Sequence, residues 1–288
     1  MKIIDMRSRP SFLHRFFGST ADTPEFETVR WVNRRVGARD DLHFARTTDL
    51  PSFIDEMDGA GIDIAVMVAR SVPGVRVSNE ALTALCRAAP GRLIGIASID
   101  PQELGADTLA RARQAVTELG LAGINLDAGF FAQPLRADAD ALLPLYALCD
   151  ELNVPAFVMS GPTTPDLRYN DPLAIDNVAR LFPRLTIVCC HGFYPNIDPM
   201  LAVAFRHENV IVSPDMYVFA PGAGRYVEAA NGFMADQFVF GSSFPFRPMA
   251  QGVEDFRRLG LIDAVLDKAF CQTARRVLGI GRDRKVTS

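Results

Sequence analysis

Short apolar segments recur along this chain at a nearly constant interval, and that rhythm limits the folds open to it more than any other feature. They are Lys2–Met6, Asp63–Ala69, Leu93–Ser98, Ala122–Asp127, Val154–Met159, Leu185–Cys190, Asn209–Ser213 and Phe238–Gly241. Each is short and bounded by polar or turn-forming residues, which predicts strands. From the second onward their starts lie 30, 29, 32, 31, 24 and 29 residues apart, the length of one strand plus a returning helix. Eight such units predict an α/β chain, a single (β/α)8 TIM barrel over residues 1–288, in preference to an open sheet. The length of 288 residues suits one barrel of about 250 residues with insertions.

Helical patterns fill the intervals. Thr108–Leu119 is stopped by Gly120, and the apolar residues that follow Asp138 recur at helical spacing until Asn153. The stretch 10–49, after the first strand, is too long for an ordinary strand-to-helix loop and is expected to be an insertion or lid over the barrel mouth. Residues 281–288 are expected to be a frayed tail.

Composition narrows the partners. Thirty Lys plus Arg against 34 Asp plus Glu give a net charge of -4, which offers no global field for nucleic acid or an anionic membrane. The opening residues contain no apolar stretch of signal-peptide length, and no run approaches the ~20 residues of a bilayer span, so a cytoplasmic location is expected. Five cysteines without a C-x-x-C pair are expected to be reduced and buried. A homo-oligomer is compatible with the sequence. Lysine occurs only at positions 2, 268 and 285, so almost every positive charge is arginine.

In barrels of this kind reactive groups stand at the carboxyl ends of the strands. Those positions hold Arg7 and Arg9, Arg70 and Ser71, Asp100, Asp127, Met159 and Ser160, His191, Asp215, and Ser242 with Ser243.

Several of the same segments carry a family resemblance. The opening Lys2-Ile-Ile-Asp-Met-Arg-Ser-Arg, Met57-Asp-Gly-Ala-Gly-Ile-Asp, Gly91-Arg-Leu-Ile-Gly-Ile-Ala, Val154-Pro-Ala-Phe-Val-Met-Ser-Gly, Phe182-Pro-Arg-Leu-Thr-Ile-Val-Cys-Cys-His-Gly, Phe240-Gly-Ser-Ser-Phe-Pro and Ala274-Arg-Arg-Val-Leu-Gly-Ile together resemble the amidohydrolase superfamily. The resemblance is to its amidohydrolase 2 branch, which includes the aminocarboxymuconate semialdehyde and dihydroxybenzoate decarboxylases.

The resemblance implies a divalent metal held by two histidines of an Asp-x-His-x-His strand, a histidine of the fifth strand, one of the sixth and an aspartate of the eighth. Here those positions hold Arg7, Arg9, Met159, His191 and Ser243. A guanidinium has no lone pair and cannot ligate a cation. The expectation is therefore a degenerate site with no metal and no cofactor, kept electropositive by two fixed charges and suited to a small anionic, carboxylated compound.

Arg7 and Arg9 are the expected anion clamp, with Arg70, Arg168, Arg247, Ser160 and Ser243 as further binding groups. Ion pairing of Arg7 and Arg9 to Asp5, Asp127 or Asp215 is the structural alternative. His191 is the expected proton-transfer group, with Asp127 or Asp215 as orienter or base. His14 and His43 are expected in solvent on the insertion, and His207 at a surface helix end.

Two functions follow: a metal-independent hydrolase of lactones or esters or a decarboxylase-type lyase, or a catalytically silent barrel that binds a small anion as sensor or partner subunit. Loss of the metal disfavours water activation, because a metal lowers the pKa of bound water from about 16 to about 7 and arginine does not.

Overall fold

In the computed structural model, which describes residues 2–281, seven parallel strands lie side by side in chain order. They are β1 (Ile4–Ser8), β2 (Ile64–Val68), β5 (Leu93–Ser98), β6 (Ile124–Leu126), β7 (Ala156–Val158), β8 (Ile187–Cys190) and β9 (Val210–Ser213). Two further strands, β3 (Arg70–Val72) and β4 (Val75–Val77), form an antiparallel hairpin that the spacing does not reveal.

The eighth expected strand is corrected. Phe238–Gly241 closes the ring without becoming a regular strand, so the architecture is a TIM barrel with seven formal strands and an irregular seam. On one side Val212 N–H donates to Gln237 C=O at 2.7 Å; on the other Met6 N–H donates to Phe240 C=O and Arg9 N–H to Phe244 C=O, at 3.0 and 2.8 Å. Between the last two contacts Ser243 takes a left-handed φ of +58°, which breaks the extended ladder.

Alternation along the strands builds two shells. Ile187 and Cys189 join the outer cluster between strands and helices, while Val188 and Cys190 join an inner cluster with Val66, Val68, Phe157, Met159, Ile211 and Val239. Burial of each large side chain contributes roughly 1.5–3 kcal/mol. The inner parity continues past the strand ends, so Arg70 follows Val66 and Val68, and Asp215 follows Ile211 and Ser213. That continuity aims polar side chains into the mouth.

The segment 10–49 has its own order. Its helix Pro24–Arg35 begins at Thr23, whose Oγ1 accepts from Phe26 N–H at 3.3 Å, with Pro24 at the first turn. Ser11 Oγ ties its two ends by donating to Phe44 and Thr47 C=O at 2.8 and 2.5 Å. Asn33 Nδ2 donates to Pro245 C=O at 3.1 Å, and Gln251 accepts from Arg39 N–H at 2.8 Å and donates to Gly37 C=O at 2.9 Å. The segment is thus fastened to the chain that follows the seam. Of the expected tail, only Gly281 lies within the described residues. Among these residues no helix is long and apolar enough to cross a membrane.

Candidate active site

Six charged or titratable side chains from five strand ends meet beneath residues 10–49. Arg7, Arg9, Arg70, Asp127, His191 and Asp215 are each 5% exposed or less. Strand β1 carries two of them through a local irregularity: its register with β2 slips between Asp5 and Ser8. Ile4 and Met6 belong to the inner cluster, yet Arg7 and Arg9, of the opposite parity, also reach inward after the slip.

The guanidinium groups are under-satisfied. Arg7 Nε is 3.7 Å from Asp215 Oδ2 and its Nη2 is 2.7 Å from the Met159 thioether, a weak acceptor. Arg9 Nε donates to Val68 C=O at 3.0 Å, and Arg70 Nε is 3.9 Å from Asp127 Oδ2. Arg7 Nε and Nη1, Arg9 Nη2 and Arg70 Nε find no hydrogen-bond acceptor among the described residues. Arg9 pairs with no carboxylate there. Burial, and then the charges of Arg7 and Arg70, hold the Arg9 guanidinium well below its usual pKa. Fixed cations crowded in a buried site bind anions strongly, because each donor left unpaired there costs several kcal/mol.

Aromatic rings close over the cluster from the mouth side. The Arg9 guanidinium stands 5.7 Å from the Phe17 ring, and that of Arg70 lies 5.8 Å from Phe16 and 4.8 Å from Phe130. Phe16 and Phe17 belong to 10–49, and nothing in their sequence spacing marks them. A hollow beside the β3–β4 hairpin reaches Arg70 from the flank, lined by Ser71, Arg76, Ser98, Asp100 and Glu103.

Opposite the cations sits a carboxylate–imidazole pair. Asp215 takes a left-handed φ of +55° and His191 one of +61°, strained conformations of the kind that gather at working sites. Asp215 Oδ1 accepts from Ser213 Oγ at 2.5 Å, and Oδ2 accepts from His191 N–H at 3.0 Å. His191 Nδ1 is also 3.0 Å from Oδ2, although the ring is not aligned for a good hydrogen bond. Burial raises the Asp215 carboxyl, but His191, Arg7 and Ser213 outweigh it and keep the group below its ordinary range. Burial, reinforced by Arg7 against the pull of Asp215, pushes His191 down to about 4. The imidazole is therefore neutral at pH 7, with a carboxylate placed to stabilise its protonated form.

Gly241 makes this packing feasible. A Cβ there would overlap Asp215 Oδ1 and stand 3.2 Å from its carboxyl carbon and 3.4 Å from Arg7 Cβ.

Other expected groups have other tasks. Asp127 accepts from Asn125 Nδ2 at 2.9 Å, and its Oδ1 has no donor. Asp5 pairs with no guanidinium; it accepts from Arg7 N–H, Ser242 N–H and Ser242 Oγ at 3.0, 2.8 and 2.5 Å, and burial lifts its carboxyl to about 7. Ser160 Oγ donates to Cys190 C=O at 2.5 Å and accepts from Phe193 N–H at 2.9 Å, so it joins the ends of β7 and β8. Ser243 donates its N–H to Arg7 C=O at 2.9 Å, and its Oγ accepts from Met216 N–H at 3.4 Å.

Two arginines are not brought to the cluster. Arg168 is exposed and bound to Asp166 on a surface turn. Arg247 is buried but engaged by Asp255, Val36 C=O and the Phe219 ring, where it anchors the 10–49 segment. His43 is also corrected: it is buried against Phe244, with ring centroids 5.4 Å apart, and burial drives it to about 4. His14 is half-buried and caps Phe16 N–H at 3.1 Å, and His207 meets Asp176 at 2.8 Å. Cys190 is a protonated thiol, pushed up to about 12 by burial.

Sequence comparison bears on this arrangement. The amidohydrolase family profile matches residues 28–280. The chain belongs to the amidohydrolase family. That membership makes it an enzyme. An uncharacterised TIM-barrel protein from Bordetella bronchiseptica is 32% identical, with 97% of this chain and 99% of that one covered and a TM-score of 0.87. A 2,6-dihydroxybenzoate decarboxylase bound to 2,6-dihydroxybenzoate shares the fold at 16% identity, TM-score 0.70, covering 97% and 100%. A dihydroxybenzoic acid decarboxylase from Polaromonas, with bound manganese and 2-nitroresorcinol, does so at 15% identity, TM-score 0.69, covering 100% and 99%. No curated protein matches the chain in sequence.

A divalent ion would find few donors in this cluster: Arg7 and Arg9 offer guanidinium groups without a lone pair, Met159 a thioether and Ser243 a hydroxyl, and of these and His191 only the last offers an imidazole. Among the described residues no three His, Cys, Asp or Glu side chains gather as a metal centre requires.

Proposed function

We propose that this amidohydrolase is a metal-independent, decarboxylase-type lyase acting on a small carboxylated compound. The observation that carries the reading is the set of buried guanidinium N–H groups without acceptors, facing a neutral His191 that leans on Asp215. Arg7 and Arg9 bind the anion, and Arg70 completes the positive field. In the chemical step the carbon–carboxyl bond breaks, CO2 leaves, and the electron pair remains on carbon, where it takes up a proton. Fixed cations in a low-dielectric site offset the charge that moves onto the remaining fragment. His191 accepts a substrate proton, Asp215 stabilises the resulting imidazolium, and the same proton is returned to carbon. Residues 10–49 act as the lid that excludes water.

Lactone or ester opening is the weaker reading, since no group present activates water as a metal would. Family membership weighs against a silent anion carrier.

The pH profile separates these readings. A histidine held at about 4 is already a neutral base at pH 6, whereas an ordinary one has a pKa near 6.5. In Asp5→Asn, which removes the buried carboxyl lifted to about 7, CO2 release from small carboxylated compounds, measured as kcat/KM, is expected to stay level from about pH 7 down to about 5. It is expected to fall only as pH approaches the His191 value, and to be lost in His191→Gln. An acid limb near 6.5, or acid production from lactones without CO2, would overturn the assignment.

A further inference from the structure

Each of the six side chains in the cluster is 5% exposed or less, so a ligand reaches them only where part of the covering chain moves. Two pieces of chain form that cover: residues 10–49 at the mouth and the β3–β4 hairpin at the flank. The first is fastened inside the protein. Asn33 and Gln251 bind it to the chain after the seam, and Arg247, itself buried, joins Val36 C=O to Asp255. Lifting it strands a buried charge along with several buried polar groups, a heavy cost.

The hairpin is held more lightly. Its strands pair with each other and with no other strand among the described residues, and such an isolated pair is marginal in water. Glu103 supplies two of its ties, accepting from Ser71 Oγ at 2.7 Å and meeting Arg76. With Arg76 65% exposed and Glu103 36%, that ion pair is screened and weak. What remains is the packing of Val75 and Val77 on Phe17 and the bond from Ser71 N–H to Ser98 Oγ at 3.1 Å. The chain is firm on either side. Ala69 N–H donates to Ile96 C=O at 3.0 Å, and Asn79 exchanges two bonds with the Ser98 backbone at 2.9 and 3.3 Å, which confines bending to residues 70–78.

Space borders the hairpin as well. A hollow of about 250 Å³ lies at its base, against Arg70 and Ser71, and one of about 490 Å³ at its tip, against Pro73 and Gly74. The first is several times the share of one water, about 30 Å³, and accommodates a small carboxylate. Arg70 belongs to the hairpin, to this hollow and to the cluster at once. We propose, on the anion-site reading above, that the hairpin is the door of the site: small anions enter from the hollow at its base as it swings outward, and Arg70 closes behind them. Residues 10–49 stay in place as the roof.

Propionate serves as the probe, with affinity taken by calorimetry and association and dissociation rates by NMR line shape. Glu103→Ala cuts two ties that exist with and without ligand, and Glu103 touches no group of the cluster. Both rates are therefore expected to rise about fivefold, the worth of an exposed ion pair, with the dissociation constant unchanged. Gln251→Ala, which loosens residues 10–49, is expected to alter neither rate. Hydrogen exchange of the natural protein supplies a second reading: hairpin amides are expected to exchange at least about tenfold faster than those of the helix Pro24–Arg35, and to slow when propionate is added. Rates unchanged in Glu103→Ala, rates raised in Gln251→Ala, or a hairpin that exchanges no faster than that helix would overturn the door. If propionate does not bind at all, the anion-site reading falls, and exchange in the free protein still decides which cover opens.

Discussion

Gly241→Ala is expected to destabilise the protein by about 3 kcal/mol or more, although it adds only one methyl group. The new Cβ would overlap Asp215 Oδ1 and press on the carboxyl carbon and on Arg7 Cβ. Overpacking alone costs about 1–3 kcal/mol. Relief by moving Asp215 is closed off, because that carboxylate accepts from Ser213 and His191 and faces Arg7. Displacing it strands a buried cation, a loss of about 3–5 kcal/mol when a buried pair is broken. Gly59→Ala is the matched control. Gly59 is an exposed position of the helix Leu50–Ala60, where a Cβ would meet nothing within 4 Å. It is expected to stabilise by about 0.5–1 kcal/mol. Denaturant unfolding of both variants reads the contrast, and a Gly241→Ala protein as stable as the natural one would refute the packing described around Asp215.

Arg9→Met is expected to separate stability from binding. Arg9 is buried, has no carboxylate partner and is repelled by two neighbouring arginines, so its removal relieves a cost. Replacing buried charge by an apolar chain of similar volume is often neutral or stabilising, by about 1–4 kcal/mol. The variant should therefore unfold at equal or higher denaturant concentration. Affinity for propionate should fall by about 100-fold, since charge-assisted bonds carry most of the binding. Arg7→Met should differ, losing stability as well, because Asp215 would keep its charge without its cation. Arg9→Met that loses stability and keeps affinity would mark Arg9 as a structural ion.

The contrast between legible and illegible parts follows from interaction range. Strand spacing revealed the barrel because each strand-plus-helix unit is locally encoded, and even Gly120 and Asn153 end their helices with left-handed φ of +76° and +52°. Strand-end chemistry singles out Arg7, Arg9, Arg70, Asp127, His191 and Asp215, which are all buried at the barrel mouth; Arg70, Asp127 and Asp215 keep the inward parity of their strands, whereas Arg7 and Arg9 arrive through the slip in β1 and His191 through its left-handed backbone. Arg168 and Arg247 follow strands by longer loops, where parity carries no information, and one of them lies in solvent while the other anchors the insertion. The division of Asp215 to Arg7 and Asp127 to Arg70 depends on contacts between segments far apart in the chain. So does the placing of Phe16 and Phe17 over the cations. The eighth strand was misread because Phe238–Gly241 has the right composition, yet Ser243 turns the backbone before a ladder can extend.

The central claim is that guanidinium groups, and no metal, make the barrel mouth an anion receptor. Its most direct test is a propionate titration before and after exhaustive chelation, with metal content followed by elemental analysis. The account predicts the same dissociation constant in both samples and substoichiometric metal throughout. Binding that vanishes on chelation and returns with one equivalent of manganese or zinc would contradict it.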